Sequence, residues 1–559
     1  MKKLLLVGLC ILALAPMLFA NGEQEVAKDI NISAPGVYPI SDEKLTFHIF
    51  CATEPWVEDL NTNHMTLYIE ELMNVDLIFE QTTGENAEEI VNLKIATGAN
   101  MPDIFMGHGM NADCCKAYGE QGIFLALDDY IERQGVNTKE FFQYMPEAED
   151  YLKAMDGKIY GLPAFNECFH CSYSQRMLIN KKWLDNLGLD VPKTTEEFYQ
   201  ALKAFKEQDA NGNGDPNDEI PLTQITKHCW NGKLDGFLTN PFTFSPLGHN
   251  NDTRIYVKDG EIIASYAQPG YREALKFVNK LYKEGLVFRE SFTVDVSQVK
   301  SMVEHPDGNM IGAVPSGTIS QICSLVKCQD RCAEYIVLPP LVGPTGLQQT
   351  MEFTPSVKPN RFNITNVCKY PEAAFKIGDF LMYLGHNLDG SYNEKKLRER
   401  LQWSEEGVDF DFDVSHKTTL LGTPAWYEDL SSYGASQNRH WGSGRPDVNT
   451  RFSRLSGISD AGGFDQGQFL YDAAVEYRKY AKAYLIPPVN MTEDELRQKT
   501  EYHQVFKEFN KEAYANFVIG NLDPNSDDDW NTYLNQLENM GLSKYIALLQ
   551  STYDRQYKK

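Results

Sequence analysis

An alternation of strand and helix patterns after residue 44 limits the fold more than any other feature of the sequence. Residues 44–51 and 75–80 have the apolar spacing of strands, residues 66–73 and 88–97 have that of helices, and residues 103–106 form a third short strand. Such a βαβαβ succession builds a parallel sheet, and ligands of open α/β sheets bind beyond the carboxyl ends of the strands. The sequence therefore predicts an α/β fold whose functional residues lie in the loops after these strands.

A second α/β block follows, and the length of the chain indicates that it forms a further lobe. The chain has 559 residues, of which 42% are hydrophobic, and this exceeds what one hydrophobic core usually accommodates. Thr194 and Glu197 have the spacing of a helix capping box. The elements predicted in the rest of the chain are a strand at 177–180 and helices at 181–187, 195–208, 271–284, 371–384 and 492–517.

The amino-terminal segment has the pattern of a secretory signal peptide. An apolar run at 4–20 follows two lysines and precedes the polar residues 21–25, so we expect cleavage after Ala20. The alternative is an uncleaved anchor helix, although the run is short for a membrane span. A lipid anchor needs a cysteine after a small residue at the end of the run, whereas Cys10 follows Leu9 in its middle. We therefore expect an exported protein, periplasmic or extracellular and soluble after cleavage.

The charge of the chain argues against two classes of partner. Lys and Arg total 52 against 78 Asp and Glu, which gives a formal net charge of -26 at pH 7. Such a field repels phosphate backbones and anionic lipid surfaces. We expect no nucleic-acid partner.

The cysteines leave several interpretations open. Of the 11 cysteines, all but Cys10 would remain after cleavage, and their even number permits disulfides without assigning them. Cys168 and Cys171 have the spacing of a redox motif or of half a zinc site, yet no second C-x-x-C pair accompanies them. For the group of Cys323, Cys328 and Cys332, a local disulfide or plain thiol burial explains the spacing as well as a metal does.

A loop after the helix at 195–208 has the spacing of a calcium site. Oxygen-bearing side chains stand at alternate positions from Asp209 onward, and Gly214 occupies the place where an EF-hand loop turns sharply. Carboxylates and amide carbonyls suit a hard cation, so we expect a structural Ca²⁺. The twelfth position is Ile220 instead of a bidentate Glu and a strand-like segment follows, which excludes a sensor EF-hand. An Asn/Gly/Asp-rich surface turn without an ion is the alternative.

Five segments together resemble a known family. They lie at residues 92–105, 156–167, 177–221, 370–382 and 530–555, and the resemblance extends over nearly the whole chain. They are similar to the larger extracellular solute-binding proteins of bacterial ABC importers, a group that includes the periplasmic alginate-binding proteins.

This resemblance implies a two-lobe periplasmic-binding-protein type II fold with parallel-sheet lobes, hinge strands and extra C-terminal helices. After the signal peptide at 1–20, it divides the chain into residues 21–165 and 350–389 of the first lobe and residues 166–349 and 390–559 of the second lobe. In the alginate-binding relatives a similar loop holds calcium. The ligands that this comparison implies are Asp209, Asn211, Asn213, the Asp215 carbonyl, Asp218 and Glu219. The loop is one residue longer than the usual form, so the choice among Asn217, Asp218 and Glu219 stays open.

Sugar binding requires aromatic platforms for the apolar faces of the rings and planar polar side chains for the hydroxyls, because unpaired polar groups in a closed cleft are costly. For each tryptophan the alternative is burial in a lobe core. Arg439 and Arg445 flank one of them, and they could bind an acidic sugar or pair with carboxylates of the protein. Our candidates for the cleft are Trp56, Phe165, Asn166, Trp230, Glu352, Trp426 and Trp441.

The resemblance implies a monomeric receptor that binds an oligosaccharide between its lobes and delivers it to the permease subunits of an ABC importer. The alternative is a secreted polysaccharide hydrolase or lyase, which needs paired carboxylates or a metal-activated water. The sequence has no H-E-x-x-H, G-x-S-x-G or P-loop motif, and we expect no enzymatic activity. An adhesive surface protein is disfavoured because the spacing of a β-sandwich is absent.

Overall fold

Two sheets organise the chain in a computed structural model. The residues that the structure describes are 30–53, 57–107, 112–154, 156–227, 229–248, 253–325, 327–353, 356–384, 387–389, 391, 393, 395, 412–418, 424–428, 438, 441, 445–449, 454–456, 464, 466–487, 489 and 491–558. The predicted signal peptide therefore lies outside the described residues. Among the described helices, none combines the length and the apolar character needed to cross a membrane.

The elements alternate between strand and helix over most of the described chain. The strands are β1 Leu45–Thr53, β2 Val75–Thr83, β3 Ile104–Met106, β4 Leu162–Asn166, β5 Met177–Asn180, β6 Ile220–Leu222, β7 Ile255–Lys258, β8 Glu261–Ala264, β9 Ile311–Pro315, β10 Tyr335–Leu338, β11 Thr350–Met351, β12 Ser356–Ile364, β13 Phe412–Thr418, β14 Pro424–Glu428, β15 Asp447–Asn449, β16 Arg454–Ser456 and β17 Ala481–Lys482.

The helices are longest near the carboxyl terminus. They are α1 His64–Met73, α2 Gly84–Thr97, α3 Ala112–Glu120, α4 Asp128–Gln134, α5 Asn137–Tyr144, α6 Pro146–Leu152, α7 Phe169–Ser172, α8 Lys181–Asn186, α9 Thr195–Glu207, α10 Leu234–Thr239, α11 Pro269–Lys283, α12 Val296–Val303, α13 Gln329–Cys332, α14 Pro371–Leu381, α15 Gln466–Arg478, α16 Glu493–Ile519, α17 Asp527–Asn539 and α18 Leu542–Tyr557. The predicted βαβαβ start and the capping box of Thr194 and Glu197 are confirmed.

The first lobe is built on a six-stranded sheet in the order β15-β4-β12-β3-β1-β2. Strand β1 pairs in parallel with β2 and β3, and β15 pairs in parallel with β4. Strand β12 is antiparallel to both β3 and β4, so the sheet is mixed and the expectation of parallel-sheet lobes is wrong. The reason is the path of the chain: β12 starts opposite the last residue of β4, where the chain returns from the second lobe.

The second lobe is built on a four-stranded sheet in the order β10-β5-β9-β6. Strand β6 is parallel to β9, whereas β5 is antiparallel to β9 and to β10. Met177, the first residue of β5, lies opposite Pro315 and Leu338, the last residues of their strands. The chain therefore enters this lobe at the edge that carries the carboxyl ends of β6, β9 and β10.

Short segments connect the two sheets. The chain leaves the first sheet at Asn166 and begins the second at Met177, and it returns between Met351 and Ser356. Strand β11 pairs in parallel with β17 beside this return segment. The predicted division places residues 390–559 in the second lobe, but β15 hydrogen-bonds β4 in the first sheet. Helix α15 contributes Ala474 and Tyr477 to the buried core of the second lobe, so the chain is back in that lobe after β15.

The carboxyl-terminal helices belong to the core of the second lobe. One cluster of buried residues joins Trp183 of α8 to Phe506 of α16 and Tyr545 of α18. The rings of Phe506 and Tyr545 stack with their centroids 5.6 Å apart. The predicted extra C-terminal helices therefore extend the second lobe, while a separate cluster that includes Phe47 and Phe375 forms the core of the first lobe.

The structure contains two disulfides among the described residues. Cys168 is bonded to Cys171, and Cys323 is bonded to Cys332, so the local-bridge interpretation holds for that group. Cys229, Cys328 and Cys368 are not part of either disulfide.

We predict that Asp235→Ala strongly destabilises the second lobe. The side chains of Asp235 and Arg254 are 2% and 5% exposed, and Arg254 Nε lies 3.1 Å from Asp235 Oδ2. Removing one partner of a buried ion pair leaves the other charge uncompensated and costs about 3–5 kcal/mol. Urea unfolding followed by circular dichroism should show a lower midpoint. Glu501→Ala, which breaks the exposed pair with Arg497, is the control and should leave the midpoint unchanged; equal midpoints for both variants would contradict the prediction.

Candidate functional site

Trp230 lies at the edge of the second sheet that carries the carboxyl ends of β6 and β9. Its ring packs on Gly317, where a β-carbon would come within 2.5 Å of the indole. The Gly317 amide donates to the Trp230 carbonyl at 2.7 Å, and the Trp230 amide donates to Gln321 Oε1 at 2.9 Å. The indole is half-buried. The ring therefore packs directly on the backbone at Gly317, where any side chain would clash. Two hydrogen bonds hold the backbone of Trp230 in place.

A buried arginine connects this tryptophan to residues 167–176, which form the first crossing between the lobes. Arg176 is fully buried and donates from Nη1 to the Gly317 carbonyl at 2.5 Å and from Nη2 to the His170 carbonyl. Burial lowers the pKa of Arg176 to about 10. The His170 ring meets Trp230 edge-on with the ring centroids 6.4 Å apart. Neither residue is among the ligand-binding candidates from the sequence, although a charged residue directly before the apolar segment 177–180 is a signal that identifies Arg176.

Two amide side chains lie next to Trp230. Gln321 accepts a hydrogen bond from the Trp230 amide, and the following residue, Asn231, donates from Nδ2 to Ser174 Oγ at 2.8 Å. Gln224 is buried, and its Oε1 accepts from the Leu234 amide at 3.2 Å. An aromatic ring with neighbouring amides is the combination that hydroxyl-rich ligands require.

The second crossing between the lobes is the return of the chain from β11 to β12. It brings Glu352 and Phe353 next to the first crossing. Tyr173 donates its hydroxyl to Glu352 Oε1 at 2.9 Å, and the Phe353 amide donates to the Ser172 carbonyl at 2.8 Å. A β-carbon on Gly248 would come within 2.1 Å of the Phe353 ring, so this ring also packs directly on a glycine. The two crossings are therefore bonded to each other.

On the side of the first lobe, Asn166 ends β4 and is half-buried. Its Oδ1 accepts from the Cys168 amide at 3.0 Å, which turns the chain toward the second lobe. The neighbouring Glu167 carboxylate accepts the Tyr144 hydroxyl at 2.6 Å. Of the predicted ligand-binding residues, Asn166, Trp230 and Glu352 thus lie at the sheet edges joined by the crossings.

Two of the predicted ligand-binding residues are core residues. Phe165 is 1% exposed and its ring centroid lies 5.2 Å from that of Phe141. It precedes Asn166 on β4, and successive side chains of a strand point to opposite faces. Trp441 is completely buried, donates from Nε1 to Thr66 Oγ1 at 2.8 Å and packs edge-on against Phe79. The assignment of Phe165 and Trp441 to the cleft is wrong in this structure.

The remaining predictions for the cleft are not tested. Trp56 and Arg439 lie outside the described residues, and for Trp426 the strand β14 is described but the side chain is not. Arg445 Nη2 lies 3.8 Å from Asp447 Oδ2, which agrees with the alternative that this arginine pairs with a carboxylate of the protein.

The loop from Asp209 to Glu219 folds around its own polar side chains. The Asp209 carboxylate accepts from the amides of Gly212, Asn213 and Gly214 at 2.9–3.1 Å. Asn211 and Asn213 direct their Nδ2 atoms at the two oxygens of Asp218, at 2.9 and 2.7 Å. A half-turn of each side-chain amide exchanges its oxygen and nitrogen. The Oδ1 atoms of Asn211 and Asn213 would then face the Asp218 carboxylate, as a shared cation requires.

Glu219 provides a test of whether this loop fits a cation. Its Oε1 accepts from the Ala210 amide at 2.8 Å, whereas Oε2 is buried without a hydrogen-bond partner among the described residues. Burial raises the pKa of the Glu219 carboxyl above its usual value. A buried carboxylate oxygen without a partner is costly, and a bound hard cation would compensate it. The oxygen donors of the loop therefore fit Ca²⁺. The side-chain Oδ1 of Asp215 accepts from the Asn217 amide at 3.1 Å. The backbone carbonyl of Asp215 therefore stays the predicted cation ligand.

Comparison with known proteins agrees with this architecture. Residues 70–319 match the family described as bacterial extracellular solute-binding protein. A relative over almost the whole length is the fructooligosaccharide ABC transporter substrate-binding protein FusA of Streptococcus pneumoniae, 26% identical over 552 residues that make up 96% of each chain. The family and this relative are described as binding proteins.

Solved structures of two-lobe proteins have the same fold. An HMO-binding, ABC-transporter associated solute-binding protein of Bifidobacterium longum infantis superposes with a TM-score of 0.74 at 20% identity, over 92% of this chain and 99% of that one. An EF-hand mutant of S. pneumoniae FusA in complex with fructo-nystose gives a TM-score of 0.68 at 23% identity, over 92% of this chain and all of that one.

We predict that Trp441→Ala lowers stability because the ring fills the core of the first lobe. Truncating a fully buried aromatic side chain costs about 3–5 kcal/mol of unfolding free energy. Guanidinium unfolding monitored by circular dichroism measures this loss. Leu93→Ala removes a side chain that is 62% exposed and is the control. A Trp441→Ala midpoint equal to that of the control would show that Trp441 is not a core residue.

Proposed function

We propose a receptor function for this chain, which belongs to the bacterial extracellular solute-binding proteins. The protein binds an oligosaccharide between its two lobes and delivers it, as a monomer, to the permease subunits of an ABC importer. The observation that carries the proposal is Trp230, a half-buried indole packed on Gly317 at the carboxyl edge of the second sheet. The relative described as a fructooligosaccharide ABC transporter substrate-binding protein supports the substrate class.

The groups near Trp230 have the chemistry that a sugar requires. The indole covers an apolar face of a pyranose or furanose ring, and the amides of Asn231 and Gln321 replace water at its hydroxyls. Glu352 adds a carboxylate from the second crossing, and Asn166 adds an amide from the first lobe. Both lobes therefore supply polar groups next to the segments that connect them.

Domain closure would follow from this arrangement. A ligand that contacts both edges stabilises the closed state, and its differential affinity for that state sets the shift in population. The chain segments 167–176 and 352–353, together with the β11–β17 pair, are the described connections about which the lobes would move. We propose the predicted lobe boundaries with one change, namely that β15 belongs to the first lobe.

We predict that Trp230→Ala weakens oligosaccharide binding up to about tenfold, because an aromatic contact of this kind contributes about 0.5–1.5 kcal/mol. Isothermal titration calorimetry against a panel that begins with fructooligosaccharides measures the affinity. Trp441→Phe, which keeps an aromatic ring in the core of the other lobe, is the matched control. Unchanged affinity of Trp230→Ala for a sugar that the wild-type protein binds would remove Trp230 from the site.

The same titrations separate a receptor from the alternative secreted hydrolase or lyase. A receptor releases its ligand chemically unaltered, whereas a hydrolase or lyase converts it. Chromatography of each oligosaccharide after incubation with the protein should show no product. Product formed by the wild-type protein and absent with the Glu352→Gln variant would overturn the receptor proposal, because it would show that Glu352 takes part in a reaction.

We further propose that residues 209–219 bind a structural Ca²⁺. Asp209, Asn211, Asn213, the Asp215 carbonyl, Asp218 and Glu219 would hold the ion, which would neutralise the carboxylates and stiffen the loop between α9 and β6. The oxygen of Glu219 that has no partner supports this assignment. The S. pneumoniae FusA structure described as an EF-hand mutant gives separate support, because that description implies an EF-hand in a related protein.

We predict that a calcium chelator lowers the melting temperature by several degrees, because a ligand present at about 100 times its Kd stabilises the folded state by about 2.7 kcal/mol. Differential scanning calorimetry with calcium and with chelator measures the shift. Asp218→Ala removes the acceptor of both asparagine amides and should abolish the response. Asp185→Ala, on α8 outside the loop, should keep it. The same melting temperature with and without chelator would exclude a calcium site.

Export completes the proposed function. The apolar run at 4–20 would direct the chain out of the cytoplasm and be removed after Ala20, leaving a periplasmic or extracellular receptor. Amino-terminal sequencing of the protein from the culture tests the cleavage site.

A further inference from the structure

Three soft metal donors meet in the first crossing between the lobes. The Nε2 atom of His170 lies 3.5 Å from Cys168 Sγ and 3.6 Å from Cys171 Sγ, and the Nδ1 atom lies 3.4 Å from Cys168 Sγ. One donor atom from each of the three residues lies within 4.8 Å of the others. Cys168 is buried, whereas His170 and Cys171 are half-exposed, so an ion can reach them from solvent.

These distances agree with tetrahedral zinc geometry. Zinc lies ~2.3 Å from thiolate sulfur and ~2.0–2.1 Å from imidazole nitrogen, so a sulfur and a nitrogen on one tetrahedral ion are about 3.6 Å apart. Both sulfurs therefore already stand at the zinc-type distance from the same ring nitrogen. Two thiolates on one zinc are about 3.8 Å apart, so the bonded sulfurs must separate before an ion can bind.

Reduction of the Cys168–Cys171 disulfide separates the two sulfurs. In the structure Cys168 and Cys171 form a disulfide. A dithiol reductant transfers two electrons and two protons to it: the S–S bond breaks, two thiols form, and the reductant is oxidised to its own disulfide. Binding of a divalent cation then releases the two thiol protons, because thiolates are the ligands.

We propose that the reduced Cys168–His170–Cys171 segment is a binding site for a thiophilic divalent cation such as Zn²⁺. Two thiolates and one imidazole supply three ligands, and water supplies the fourth. The oxidised chain has no such site, since its sulfurs are bonded to each other. This inference goes beyond the proposed receptor function and does not depend on the identity of the solute.

The backbone of the segment is held independently of the disulfide. The Ser172 amide donates to the Cys168 carbonyl at 3.1 Å, and Arg176 donates to the His170 carbonyl. Reduction therefore leaves the α7 turn in place, and rotation of the two cysteine side chains is sufficient to separate the sulfurs. The imidazole is also oriented, because its edge packs against Trp230.

The site differs in chemistry from the loop at 209–219. That loop presents carboxylates and amides, which select a hard cation, whereas thiolate and imidazole select a soft or borderline one. The two sites can therefore be occupied separately, and saturation of the loop with calcium does not block the cysteine site.

Cobalt spectroscopy tests the proposal. The full chain is reduced with a dithiol, freed of reductant under nitrogen, supplied with excess Ca²⁺ and titrated with Co²⁺. We expect thiolate-to-cobalt charge-transfer absorption and the visible bands of tetrahedral Co²⁺, which saturate at one ion per chain and disappear when Zn²⁺ is added. The oxidised protein should show neither signal.

Variants distinguish this site from the other thiols. The double variant Cys168→Ser with Cys171→Ser should lose the charge-transfer absorption, and His170→Gln should alter the visible bands and weaken Co²⁺ binding at least tenfold. Cys323→Ser with Cys332→Ser removes the other disulfide and should keep the full signal. Absence of the signal in reduced wild-type protein, or its persistence in the Cys168/Cys171 variant, would overturn the proposal. Sugar affinity of the oxidised wild type, measured separately, reports on the receptor function alone.

Discussion

The position of the crossings constrains the structure more than any other feature. In each lobe the chain enters or returns at the sheet edge that carries the carboxyl ends of most strands, so the entering strand must run against its neighbours. This makes β5 antiparallel to β9 and β12 antiparallel to β3 and β4. Strand-end loops, which carry polar side chains in α/β folds, are thereby collected beside the two connecting segments.

The buried guanidinium of Arg176 fixes this region locally. Transfer of a charge from water to the protein interior costs several kcal/mol unless hydrogen bonds replace the water. Here two backbone carbonyls, those of His170 and Gly317, accept from it. One carbonyl belongs to the first crossing and the other to the loop under Trp230. The position of the aromatic ring is thus coupled to the segment about which the lobes would move.

Two donor sets with opposite preferences lie in the same lobe. In the loop at 209–219, Asp218 and Glu219 are placed by hydrogen bonds to asparagine amides and to the Ala210 amide. In the crossing, the His170 ring lies beside two sulfurs that are bonded to each other. The first set needs only a cation, whereas the second needs a change in oxidation state before it can bind one. An oxidising compartment would therefore keep the second set closed.

Local patterns in the sequence determined the βαβαβ start, the capping box of Thr194 and the spacing of the 209–219 loop, because each depends on residues close along the chain. The family resemblance supplied the two-lobe architecture. Tertiary structure alone decided that Trp230 packs on Gly317 while Trp441 and Phe165 are buried, since an aromatic residue in a loop has the same sequence signal in both cases. It also decided the direction of β12 and the roles of Arg176 and His170. Those outcomes depend on contacts between residues far apart in the chain, and the spacing of neighbours along the sequence carries no information about such contacts.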